Sequence, residues 1–168
     1  MDDKYFVDEN LIKTKTYFSD NEKYKLIVNY YRTGTPEDHY WNYTRGLLYS
    51  AHTNELLVDI KRNYSSFWYL FVEHPNGNEY FLCGRNYHGG YSIFDLTNHK
   101  EYEHIPKPKY EFSQFFCWVE AKFLDNQELV VYGCYWGAPF EFVRFDFSDP
   151  TNIPLPELGR RDEDDDDE

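Results

Sequence analysis

Hydrophobic residues in this chain fall in runs of four to eight, rich in Val, Ile, Phe, Tyr and Trp, and bounded by Asn, Asp, Gly and Pro. Runs of that length and make-up predict short strands, and helical spacing is hard to find. The runs also repeat. Asn78-Glu79-Tyr80-Phe81-Leu82-Cys83-Gly84 matches Gln127-Glu128-Leu129-Val130-Val131-Tyr132-Gly133, a polar turn followed by a hydrophobic run and a glycine, at an offset of 49. Upstream, the segment from Phe67 to Phe71 answers that from Phe116 to Val119; downstream, Tyr91 to Asn98 answers Phe142 to Asp149. A more diverged copy opens the chain, with its turn at Ser19 to Glu22 and its run at Tyr24 to Tyr30. It closes with Leu47 to Ser50 and Glu55 to Ile60, and an insertion from Thr33 to Tyr40 lengthens it.

Each copy reads as four strands. In the middle copy they are predicted from Phe67 to Glu73, Glu79 to Asn86, Gly90 to Leu96 and Glu101 to Ile105. The turn His74-Pro75-Asn76-Gly77-Asn78 supplies a fixed φ at proline and a residue suited to positive φ at glycine, which a tight reversal requires. Thr97 to Lys100 is a second hairpin turn. The expected fold is all-β, with about three four-stranded antiparallel repeats at roughly 11–63, 64–110 and 111–159. Together they make one domain over 1–159, followed by a disordered acidic tail at 160–168. Four antiparallel strands every 45 to 55 residues or so is the arithmetic of a propeller blade, and the arrangement is expected to be compact or open and propeller-like, or else a sandwich.

The order of strand, Asp/Asn turn, strand ending near Gly, then Ile93-Phe94-Asp95-Leu96 or Arg144-Phe145-Asp146-Phe147 resembles the blades of WD40-like propeller proteins. The resemblance runs from about Tyr17 to Leu158 and implies a scaffold that displays loops for binding. No copy has the Gly-His and Trp-Asp pair of that family, and three copies are fewer than its usual four to eight blades or so. Gly133-Cys134-Tyr135-Trp136-Gly137-Ala138-Pro139 is also similar to a segment of uncharacterised viral and microbial proteins, which implies a viral origin and carries no activity.

The chain has 168 residues, 41% of them hydrophobic, which is enough for one packed core. It lacks the roughly 18-residue apolar run of a membrane helix and opens on Met1-Asp2-Asp3-Lys4 without a signal sequence, so an intracellular, cytoplasmic protein with no membrane partner is expected. In that setting the two glycosylation sequons, at Asn42 and Asn63, are disregarded. Cys83, Cys117 and Cys134 sit inside hydrophobic runs with no CxxC, and read as buried thiols. The formal charge is −13, but the last seven residues are all acidic, and without them 23 acids face 17 bases. Such a tail solubilises the chain or meets a basic partner. There is no basic stripe, so direct nucleic-acid binding is not expected. The 17 tyrosines, 14 phenylalanines and 4 tryptophans suit tight packing or self-association, and a homo-oligomer stays open.

Motifs for hydrolases, phosphate loops, dinucleotide sites and zinc proteases are absent. No cofactor is implied. His99 and His104 lie five apart and so face opposite sides of a strand, which argues against a metal site. Asp95 and Asp146 recur with the repeat and read as turn caps. The candidate binding residues lie in the loop after the second strand of each copy: Trp41 in the first, Arg85, Tyr87 and His88 in the middle one, Tyr135 and Trp136 in the last. Equivalent loops of a radial repeat share a rim, and aromatics on such loops either anchor a partner or pack between blades. The leading expectation is a non-catalytic module that binds a protein through this rim. The alternatives are a small-ligand binder or enzyme with a polar site of Asp95, His88 and Arg85 near the propeller axis, and an acidic inhibitor of a basic protein.

Overall fold

The computed structural model describes residues 2–86, 89–107, 115–135 and 139–162. Twelve strands in the described residues form three antiparallel four-stranded meanders. The first holds β1 (Leu11–Phe18), β2 (Tyr24–Thr33), β3 (Trp41–Ser50) and β4 (Leu56–Arg62), preceded by two single-turn 3-10 helices at Asp3–Tyr5 and Asp8–Asn10. The second holds β5 (Tyr69–Glu73), β6 (Glu79–Asn86), β7 (Gly89–Asp95) and β8 (Lys100–His104). The third holds β9 (Phe116–Phe123), β10 (Glu128–Tyr135), β11 (Glu141–Asp146) and β12 (Glu157–Asp162). The all-β class and the three four-stranded repeats are therefore as the sequence pattern predicts.

The repeat extends to single hydrogen bonds. Strands β6 and β10 each run eight residues from a glutamate, with Gly84 and Gly133 at their sixth positions. In the three hairpins that precede β2, β6 and β10, the residues with positive φ are Glu22 at 57°, Gly77 at 89° and Gln127 at 62°. Their amides donate to Ser19, His74 and Leu124 carbonyls at 2.9, 2.9 and 3.0 Å. Asp95 Oδ1 accepts from the Thr97 and Asn98 amides at 3.1 and 2.8 Å, and Asp146 Oδ1 from the Ser148 amide at 2.8 Å. Both aspartates cap the turns that follow them.

β7 and β8 each begin and end one residue earlier than predicted, and two further boundaries differ by more. β5 begins at Tyr69 rather than Phe67, because the preceding segment is bonded to side chains: the Ser66 carbonyl accepts from Arg62 Nη1 at 2.8 Å, and the Phe67 ring lies over Gly46. The tail begins later than 160. β12 carries the chain to Asp162, since Arg160 finds carboxylate partners in Glu157 and Glu141 and thereby belongs to the third sheet. The rest of the acidic tail lies outside the described residues.

The backbone divides into two compact units where composition leads one to expect a single domain. One is built on the first sheet and takes in Arg85; the other is built on the second and third sheets. In the first unit the ladder lines up Leu26, Leu48 and Val58 in one row, and Val28, Gly46 and Ile60 in the next. All but the glycine are buried apolar side chains, and each contributes about 1.5–3 kcal/mol. Phe6 closes this unit by packing edge-on against Tyr31 and Tyr43 at 5.3 and 5.8 Å.

In the second unit one core joins both sheets, with Tyr80, Leu82 and Ile93 from one and Leu129, Val131 and Phe147 from the other. His74 ties the hairpin before β6 to this core: its Nε2 donates to the Phe147 carbonyl at 2.9 Å and its Nδ1 accepts from the Asn76 amide at 3.2 Å. β6 is buried on both faces, so Phe81 and Cys83 are as hidden as Tyr80 and Leu82. Of the three cysteines expected to be buried, only Cys83 is. Cys117 and Cys134 are half-buried, because Trp118 and Leu129 turn inward and leave those two on the other face of the third sheet.

Candidate functional site

Alternation along β9 sends Phe116 and Trp118 to one face, where they meet the start of β7, the end of β10 and the chain leading into β12. Together they bound a cleft of about 260 Å³ within the second unit. Gly133 makes the close packing there possible. A Cβ at that position would stand 2.4 Å from the Cys117 carbonyl oxygen and 2.8 Å from the Phe116 ring. The cleft wall is aromatic: Tyr91 stacks on Trp118 at 4.4 Å, Trp118 meets Phe145 at 5.1 Å, and Phe116 meets Tyr135 at 5.4 Å.

Arg160 supplies the charge. Its Nε and Nη2 donate to the two carboxylate oxygens of Glu157 at 2.6 and 2.8 Å, and Nη1 donates to Glu141 at 2.9 Å. The guanidinium carbon lies 5.3 Å from the Tyr135 ring centroid and 5.6 Å from that of Phe116, within cation–π range. The hydrogen bond to Glu157 raises the guanidinium pKa further and holds the Glu157 carboxyl below its usual range. Of the two carboxylates on this guanidinium, Glu157 lines the cleft with Arg160. His104 also lines the cleft, and burial lowers its pKa, which leaves the ring neutral at pH 7. Burial pushes the Tyr91 phenol up to about 12, against the smaller opposing effect of the Leu155 amide, which donates to its oxygen at 2.8 Å.

These groups suit recognition more than bond-breaking. Tyr91 stays protonated at neutral pH, and Arg160 and Glu157 hold each other. Among the described residues no three His, Cys, Asp or Glu side chains converge as a metal site would need, and no helix is long and apolar enough to cross a membrane.

Of the residues singled out from sequence, Tyr135 is in the cleft. Trp41 opens β3, opposite Thr33, and is 61% exposed, so it does not pack inside a core. Beside it, Arg32 lies 4.9 Å from the Tyr40 ring. Arg85 is half-buried, and its carbonyl accepts from Arg62 Nε at 2.8 Å. Tyr87, His88 and Trp136 lie outside the described residues. Of the polar site of Asp95, His88 and Arg85, the two described members, Asp95 and Arg85, lie toward opposite ends of β6. The Leu96 amide bonds the Glu79 carbonyl, which places Asp95 at the start of β6, while Arg85 is six residues further along that strand, roughly 20 Å away. Sequence reasoning put Arg160 in the tail and missed Glu157, Phe116 and Trp118 as site residues; the two-residue spacing of the last two was the available signal.

No protein-family profile matches the chain. Over 151 residues, 88% of its length, it is 34% identical to an uncharacterised protein of Acanthamoeba polyphaga mimivirus. The chain spans 56% of that relative's length.

Proposed function

We propose that this chain is a non-catalytic protein-interaction module on a propeller-like scaffold, of viral origin, that takes a side chain or short loop of its partner into the aromatic cleft of the second unit. The observation that carries this reading is the cleft itself: aromatic walls on sheet strands, with the Arg160–Glu157 ion pair at one corner. Size favours a side chain over a cofactor. At about 260 Å³ the cleft is below the roughly 300–1,000 Å³ of pockets that enclose small organic ligands. Its chemistry also favours binding over turnover, since the enzyme reading needs converging titratable groups and Arg160 and Glu157 are committed to each other. Tyr135, singled out by the loop pattern, stands at the mouth beside Arg160 and is the natural anchor.

Proteins recovered with the full-length chain from its native source, compared by mass spectrometry with those recovered by Tyr135→Ala, test the proposal. A partner held in the cleft is lost from the variant, weakened by about 2 kcal/mol or more, on the order of 30-fold. Circular dichroism on the same preparations checks that the variant is folded. An identical set of partners on a folded variant argues against the cleft.

A further inference from the structure

The third sheet carries a second reactive feature on its other face. Cys134 and Cys117 are direct partners in the β10–β9 ladder, flanked by the Tyr135–Phe116 and Gly133–Trp118 pairs. Both are half-buried, whereas Cys83 is fully buried. Opposed residues of antiparallel strands have Cα atoms about 4.5 or 5.5 Å apart, and both values fall within the roughly 4.4–6.8 Å that a disulfide spans. Cβ atoms in such pairs, about 4.5–5.5 Å apart, must close by roughly 1 Å for the bond to form. β9 pairs on one side only in its sheet and already departs from regular register between Tyr132 and Gly133 of its partner strand, and such edges adjust more readily than a strand paired on both sides.

We infer that Cys117 and Cys134 form a reversible intrachain disulfide when the protein meets a peroxide. One thiolate attacks a peroxide oxygen, the O–O bond breaks, and a sulfenic acid and water result. The second thiolate attacks that sulfur and expels hydroxide, which leaves as a second water. Two thiols and one hydrogen peroxide thus give one disulfide and two waters, with two electrons passing from sulfur to peroxide. A small thiol reverses the bond by exchange. The bond clamps edge strand β9 to β10 one residue from Phe116 and Tyr135, the pair that faces Arg160. Cys83, with no exposed sulfur and its place within β6, takes no part.

The test is intact-mass and peptide mapping of the full-length protein, folded by near-ultraviolet circular dichroism, before and after dilute hydrogen peroxide. The expected product is lighter by about 2 Da, carries one alkylatable thiol after unfolding, and yields a peptide linking Cys117 to Cys134. Dithiothreitol restores all three thiols. Cys83→Ser keeps the reaction, and Cys117→Ser loses it. A linkage that includes Cys83, an interchain dimer, or sulfinic acid without any linkage overturns the inference. The wild-type map alone decides the matter if a variant fails to fold.

Discussion

A Cβ on Gly133 would collide with the Cys117 carbonyl oxygen at 2.4 Å, and a backbone atom cannot rotate aside as a side chain can. Gly133→Ala therefore has to push β9 away from β10. We expect it to cost about 1–3 kcal/mol in urea unfolding, as overpacking does, and to shift the Phe116 ring that walls the cleft. Tyr91 gives a second test at this scale. Its phenol titrates near 10 when unfolded and at about 12 in the fold because it is buried. The stability it contributes is present below pH 10 and is lost as pH rises from 10 through 12, where the unfolded chain releases a proton that the fold retains. The loss is on the order of 2–3 kcal/mol. Tyr91→Phe should flatten that part of the stability–pH curve, and an unchanged slope would show that burial does not set the titration. Some of these roles were legible. Asp95 and Asp146 recur at equivalent places, and a recurring turn aspartate has few other uses. Gly133 was legible as a repeat position only, since what forbids its Cβ is the Cys117 carbonyl, and after it the Phe116 ring, of another strand.

At the scale of elements, the hairpins before β2, β6 and β10 share the same three-residue reverse bond, though the first closes one residue later, and fill its positive-φ position with Glu22, Gly77 and Gln127. An L-residue there costs about 1–2 kcal/mol relative to a relaxed backbone. Gly77→Ala should lower stability by about 1 kcal/mol, and Gln127→Gly should leave it equal or raise it, the strain relieved being set against the entropy of a glycine. Thermal melts of the pair check both signs. Strand existence was readable because each run is bounded by turn residues, and β6 was placed to the residue. β12 was not readable beyond Leu158, because Gly159-Arg160-Arg161-Asp162 has the composition of a charged tail and its partners, Glu141 and Phe116, are distant in sequence. A cut after Asp162 should leave the melting temperature within about 2 °C. A cut after Leu158, which removes Arg160 and the rest of β12 that pairs with β11, should lower it by about 5 °C or more. Equal effects from the two cuts would place Arg160 outside the fold.

For the whole molecule, three meanders account for the repeat, and the net charge of −13 is divided between a mildly acidic body and the last seven residues. The candidate site was half-legible at this scale. The loop pattern led to Tyr135, but the cleft is completed by residues from six strands of two sheets, and no spacing along the chain announces that convergence. Trp41, led to by the same pattern, is a largely exposed aromatic of the first unit and lies outside that cleft. The central claim is that the partner enters beside Tyr135, and photocrosslinking tests it most directly. A benzoylphenylalanine replaces Tyr135 in one full-length preparation and Phe18, 56% exposed on the first sheet, in another. Both are irradiated in an extract of the native source. The account predicts a crosslinked partner from position 135 that is absent from position 18 and is competed away by excess unlabelled wild type. Crosslinks of equal yield at the two positions, or a competed partner at position 18 alone, would contradict it.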